Sequence, residues 1–281
     1  MTSVMNGKSK LEILSSNKAA FGIYNHAIRF HNTDKDFTDF WKFIIERELT
    51  KGDDYLKKVS HCLEYINGNS SDFEAAFNEI VDYLPQEINI STRLYLILGY
   101  DIGIVSLGNA FLNLGHKLFH EYERELLYFA MHEVHHVGYT HYNPISSFDD
   151  LKNTDDLTKL IKYSTHMEGT AVYSCLSRRT RENGLFHQDY QSLMDTVKMQ
   201  RLTRIYFSLL NRYESMPIRP LVDEDWKIIS TMSGGDRLWY VVGSKMAETI
   251  DGRLGRTRLN NTIIEGSDEF FTLFKELFKS A

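Results

Sequence analysis

Four of the chain's eleven histidines fall within ten residues, in YFAMHEVHHVGYTHYNP (128–144), together with a single carboxylate, Glu133. His132 and His136 are four apart, so on a helix their imidazoles leave one face about one turn apart, a spacing that can chelate one metal ion. Glu133 stands about 100° further round, where it can reach a water on that ion without being a ligand. The arrangement is H-E-x-x-H, spelled here HEVHH. A solvated polar face would give a related pattern. However, Tyr128 and Phe129 share the arc of His132 and His136, and aromatic rings are poor choices for a water-facing surface. His135 lies about 60° from His132 on the side away from Glu133, better placed to pack or to support a ligand than to be one. Gly138 is expected to stop the helix, leaving His141 in a loop with Tyr139 and Tyr142, where it could return towards the ion or touch substrate.

Two imidazoles need at least one further protein ligand, and three ligands plus a water is the common catalytic zinc set. Leu157, Leu160, Ile161, Ser164, Glu168, Ala171, Val172 and Cys175 recur at helical spacing, which puts Glu168 in the middle of an inward stripe. A carboxylate buried there must find a cation or be protonated. Zn²⁺ on His132 and His136 would serve, and so would an arginine. His166 is about 160° round the same helix from Glu168, so the two cannot face one ion. The expected ligands are therefore His132, His136 and Glu168, and the expected metal is one zinc per chain, because this donor set suits Zn²⁺ better than Mg²⁺. The small residues of EGTA (168–171) allow another helix to approach closely.

The elements that position these residues follow from the same patterns. Only four prolines occur, so long helical runs go uninterrupted and the body is expected to be mostly α-helical. Helices are expected in TDKDFTDFWKFIIERELTK (33–51), in SDFEAAFNEIVDYL (71–84, Ser71 as N-cap) and in EYERELLYFAMHEVHHV (121–137). Further helices are expected in LTKLIKYSTHMEGTAVYSCLSRR (157–179), in DYQSLMDTVKMQRLTRIYFSLLNRY (189–213), in RLWYVVGSKMAETI and in DEFFTLFKELFKS. Residues 88–115 differ: β-branched and aromatic residues cluster in short runs broken by glycines, the pattern of a small β-sheet.

Composition excludes several partners. At 281 residues and 42% hydrophobic the chain can bury a sizeable core. A formal net charge of -6 without a basic stripe argues against nucleic acid. The start lacks the features of a signal peptide and no window approaches a membrane span, so a cytoplasmic location is expected. Cys62 and Cys175 are expected to be buried free thiols.

HEVHH followed 32 residues after His136 by EGTAVY resembles the gluzincin zinc metallopeptidases, most closely small zinc-dependent proteases with an H-E-x-x-H helix and a later E-G-x-A-x-Y helix. GGDRLWYVVGSKMAETI also looks like the Gly- and Tyr-containing helix that follows in such proteins. The resemblance covers residues 90 to 180 most firmly. It implies an α+β, zincin-like fold: a small mixed sheet packed on the H-E-x-x-H helix, with a helical second lobe. It also implies that STRLYLILGY and GIVSLGNAF supply strands, with a peptide-binding edge near Gly103 to Phe111. The metzincin pattern does not fit, because Tyr142 stands where its third histidine belongs and Tyr139 where its glycine belongs.

The expected organisation is an N-terminal helical segment (1–85), a small sheet with the H-E-x-x-H helix (86–145) and a helical lobe carrying Glu168 (146–281), together one catalytic unit. The expected activity is zinc-dependent hydrolysis of peptide or protein substrates with Glu133 as general base. Tyr240, then His141, then Tyr139 are the candidates to stabilise the oxyanion. Two other classes stay open. A non-haem iron oxygenase could use the E-x-x-H of Glu133 and His136, although a di-iron bundle needs a second copy and none is present. A non-catalytic zincin-like protein could keep the fold for binding alone.

Overall fold

The structure is a computed structural model that describes residues 14–31, 33–145 and 150–279. It is mostly helical with one small mixed sheet, an α+β chain, and it divides into two units. The first comprises residues 1–74 and 91–137, the second residues 75–90 and 138–281.

The first unit opens with α1 (Lys18–His31), α2 (Phe37–Leu49) and α3 (Gly52–Gly68). Asp36 caps α2 by accepting the Asp39 amide at 2.9 Å. α3 escapes notice in the sequence because it is so polar: GDDYLKKVSHCLEYING buries only Val59 and Cys62. The helix α4 (Ser70–Val81) begins one residue before its expected cap and continues into the second unit.

The sheet consists of β1 (Leu94–Ile97), β2 (Gly103–Ser106) and β3 (Asn109–Asn113) in the order β1-β3-β2. β3 pairs parallel with β1 (Leu94 opposite Ala110) and antiparallel with β2 (Gly103 opposite Leu112). Leu107 and Gly108, both at positive φ (50° and 70°), close the β2–β3 hairpin as a two-residue turn whose twist matches the strands. The expected edge therefore needs correcting: β2 is an edge strand, but Asn109 to Phe111 belong to the central strand, paired on both sides. The first core gathers Ile23 and Ala27 of α1, Phe40, Trp41 and Ile44 of α2, and Ile104 and Phe111 of the sheet.

After the short α5 (Lys117–Glu121) comes α6 (Glu125–Tyr142), the histidine helix. It does not stop at Gly138. A Cβ there would stand 2.5 Å from a Leu84 methyl and 3.0 Å from Ile90, so the missing side chain serves close packing rather than termination.

In the second unit the dominant element is α7 (Thr154–Arg181), opened by a capping box between Asn153 and Asp156. There follow α8 (Gln188–Met194), α9 (Thr196–Ser215), α10 (Asp223–Ser233), α11 (Leu238–Leu254), α12 (Arg256–Glu265) and α13 (Ser267–Lys279). The single helix expected over 189–213 is broken at Asp195, whose carboxylate leaves the helical path to accept the Lys198 amide at 2.9 Å and start α9. Leu157, Ile161, Tyr206, Leu210, Met246, Ile250 and Phe270 are among the side chains that fill this unit's core. Cys62 and Cys175 are buried and unbridged. Among the described residues no helix is long and apolar enough to cross a membrane.

Candidate metal and catalytic site

The histidine helix is buried on both of its arcs. Leu126, Leu127, Ala130 and Met131 are fully enclosed, and so are residues of the polar arc: Glu125 is 2% exposed, Glu133 5% and His136 6%. The arc is not a solvated face, although His132 and Phe129 on it are only half-buried, and polar groups buried inside a protein require matched partners. The His132 and His136 rings stand 4.4 Å apart, edge to face, one turn apart on α6. His135 is completely buried, its ring 6.4 Å from that of His136.

Beside Glu133 runs the edge of the sheet. A Cβ on Gly103 would lie 2.4 Å from Glu133 Oε1, so any side chain at the first residue of β2 would displace the carboxylate. Here the glycine is required by close approach rather than by its backbone angles.

In the second unit Glu168 sits partly exposed near the middle of α7. The helix carrying it meets α11 backbone to backbone. A Cβ on Gly169 would come within 2.3 Å of the Gly243 carbonyl carbon, and one on Gly243 within 2.2 Å of the Thr165 carbonyl oxygen. This approach, for which the small residues of EGTA leave room, brings Tyr240 of α11 into the electrostatic field of Glu168. Burial raises the Tyr240 hydroxyl well above its ordinary pKa and Glu168 raises it further, against the pull of Arg237. It stays a protonated hydrogen-bond donor at neutral pH.

Sequence reasoning missed Arg237 and Asp189. The Arg237 guanidinium lies 3.5 Å from the Tyr240 ring centre and donates through Nε to Asp189 at 2.7 Å. Burial alone would lower Arg237, but Asp189, then Tyr240, with Glu168 contributing as well, outweigh it and hold the side chain charged. Arg237 also occupies the left-handed region (φ 50°) at the cap of α11, a conformation unfavourable for a non-glycine residue that the surrounding contacts must hold in place. The break at Gly234 and Gly235 was the available signal, but its partner Asp189 is 48 residues away.

The remaining histidines separate clearly. His166 is fully buried and faces its own network. The Thr262 hydroxyl donates to the Leu259 carbonyl and so accepts from His166 Nε2 at 3.0 Å, which leaves Nδ1 to accept from the Tyr139 hydroxyl at 3.0 Å. Tyr139 is thus committed to the interior of the second unit. His141 is exposed in the last turn of α6 rather than in a loop, packed edge-on against Tyr142. On the same helix it points about 140° away from His136.

His132 and His136, one turn apart on α6, offer two imidazole donors of the kind zinc takes. Residues 14–281 match the family described as "Putative zinc dependent peptidase" (DUF5700), and the chain belongs to that family. No curated protein and no solved structure matches it.

Proposed function

We propose that this protein is a gluzincin-like zinc metallopeptidase, with His132, His136 and Glu168 as zinc ligands and Glu133 as general base. The observation that carries the reading is the pairing of the His132 and His136 rings at 4.4 Å on a buried helix, with Glu133 lodged against the backbone of Gly103. Membership of the zinc peptidase family supports it independently.

Zinc, when bound there, would lower the pKa of its water towards neutrality and polarise the scissile carbonyl. Glu133 takes the proton of the attacking water and hands it to the leaving amine. Its buried position against Gly103 of β2 confines the carboxylate. Among the described residues β2 pairs with β3 along one side only. Its other side would receive an extended peptide as an added strand, so that the scissile bond is presented beside Gly103 and Glu133. Tyr240, kept protonated, donates to the developing oxyanion, and Arg237, anchored by Asp189, orients the ring and adds positive charge. His141, exposed at the helix end, is left for contacts with substrate beyond the reacting bond.

The test is hydrolysis of a peptide library by the zinc-loaded protein, compared with Glu133→Gln. Cleavage by the parent and its loss in the variant support the reading. Equal background in both assigns the chain to binding without catalysis.

A further inference from the structure

We propose that His26, His31 and Asp101 form a second site for a divalent cation of the zinc type. Each side chain offers one ligand atom, and the three atoms lie within 4.8 Å of one another. The two histidines come from the last turns of α1 and the aspartate from the loop between β1 and β2.

Both supports are held in place by the fold. The loop is tied to the sheet by Asn113, whose side chain accepts the Gly99 amide at 3.2 Å and donates to the Tyr100 carbonyl. α1 is held against the sheet, since Ser106 Oγ donates to the Gly22 carbonyl at 2.7 Å and a Cβ on Gly22 would meet the Phe111 ring at 2.9 Å. Donors delivered by two fixed elements need little reorganisation to close on an ion.

The individual groups have the character of ligands. His31 Nε2 and Asp101 Oδ2 are 2.8 Å apart. His26 is bonded through Nδ1 to the Tyr100 hydroxyl at 3.0 Å, the outer contact that orients a metal-binding imidazole and leaves Nε2 for the ion. The Tyr100 ring meets both imidazoles edge-on, at 5.7 and 5.6 Å.

An ion pair accounts for His31 with Asp101 and the Tyr100 hydrogen bond for His26 Nδ1, but neither accounts for the convergence of all three donors. Neutral imidazole and ionised carboxylate are the forms that bind metal, so binding releases any proton that these donors hold. His31 and Asp101 are exposed, so an ion can reach them and keep water in its remaining positions.

The experiment is equilibrium dialysis of the full chain against Zn²⁺. Wild type is expected to hold about two ions and His31→Ala about one, with Asp101→Asn matching His31→Ala. The pair His132→Ala with His136→Ala is expected to retain about one, which adding His31→Ala removes. Unchanged stoichiometry in both His31→Ala and Asp101→Asn overturns the proposal. Because His31 and Asp101 are exposed, their variants fold even if the buried pair does not. Loss of one ion in His31→Ala, with none lost from the His132 and His136 variant, would uphold this site while removing the metal from the proposed active site.

Discussion

A side chain on Gly103 and the carboxylate of Glu133 cannot occupy the structure together: the added Cβ would stand 2.4 Å from Oε1. The first residue of the edge strand and the proposed base are thus adjusted to one another. Gly103→Ala is expected to fold, because the three nearest obstructing atoms, Oε1, Cδ and Cγ, all belong to the Glu133 side chain and none to backbone. A displacement of about 1 Å at a catalytic group costs on the order of 10² in rate. Steady-state kinetics with the best peptide substrate should show kcat reduced by about that factor at unchanged zinc content. An unaltered kcat would separate Gly103 from the chemistry.

Glu133→Gln isolates proton transfer from metal binding. Because Glu133 is assigned as base and not as ligand, zinc content and Tm should stay nearly constant while the rate falls by about 10² to 10⁴. Loss of the metal would instead make Glu133 a ligand.

Tyr240→Phe removes one hydroxyl and leaves the ring under Arg237. Loss of a single oxyanion donor costs about 10² to 10³ in kcat, and KM should change little. Equal activity in the variant would shift the donor role elsewhere.

Part of the proposed site was read from spacing alone. The pairing of His132 with His136 and the placement of Glu168 opposite His166 follow from about 100° per residue, and uninterrupted apolar recurrence located both helices. Gly138 was misread because glycine near a helix end usually signals termination. Here it accommodates Leu84 and Ile90, neighbours that no local pattern reveals. Asp195 interrupts an apolar repeat that looks continuous, because capping depends on one side chain's hydrogen bond rather than on periodicity. The central place of Asn109 to Phe111 depends on parallel pairing with β1, which is non-local in the sequence.

Acid stability should depend on buried histidine. His166, enclosed and bonded as a neutral ring, has its pKa lowered to about 3 by burial, and His26 is lowered to about 4, also chiefly by burial. Below the ordinary histidine value of about 6.5 the unfolded chain takes up protons that the folded chain refuses. Stability is therefore complete above pH 6.5 and declines as pH falls, by up to about 1.4 kcal/mol per pH unit for each group. Asp225, held down to about 2 chiefly by its Arg219 hydrogen bonds, keeps its contribution above about pH 4 and plays no part in this window. Urea unfolding between pH 7 and 4.5 should show the decline, and His166→Gln should reduce its slope. An identical slope in the variant would mean that His166 does not carry the effect.

The central claim is that Glu168 completes a zinc site begun by His132 and His136. Anomalous diffraction at the zinc edge, from crystals of protein purified without chelator or added metal, tests it most directly. The expected peak has two histidine nitrogens at about 2.0 to 2.1 Å and a Glu168 oxygen at about 2.0 to 2.2 Å. No peak at the histidine helix, or a peak completed by His141 while Glu168 pairs with a basic side chain, would refute the assignment.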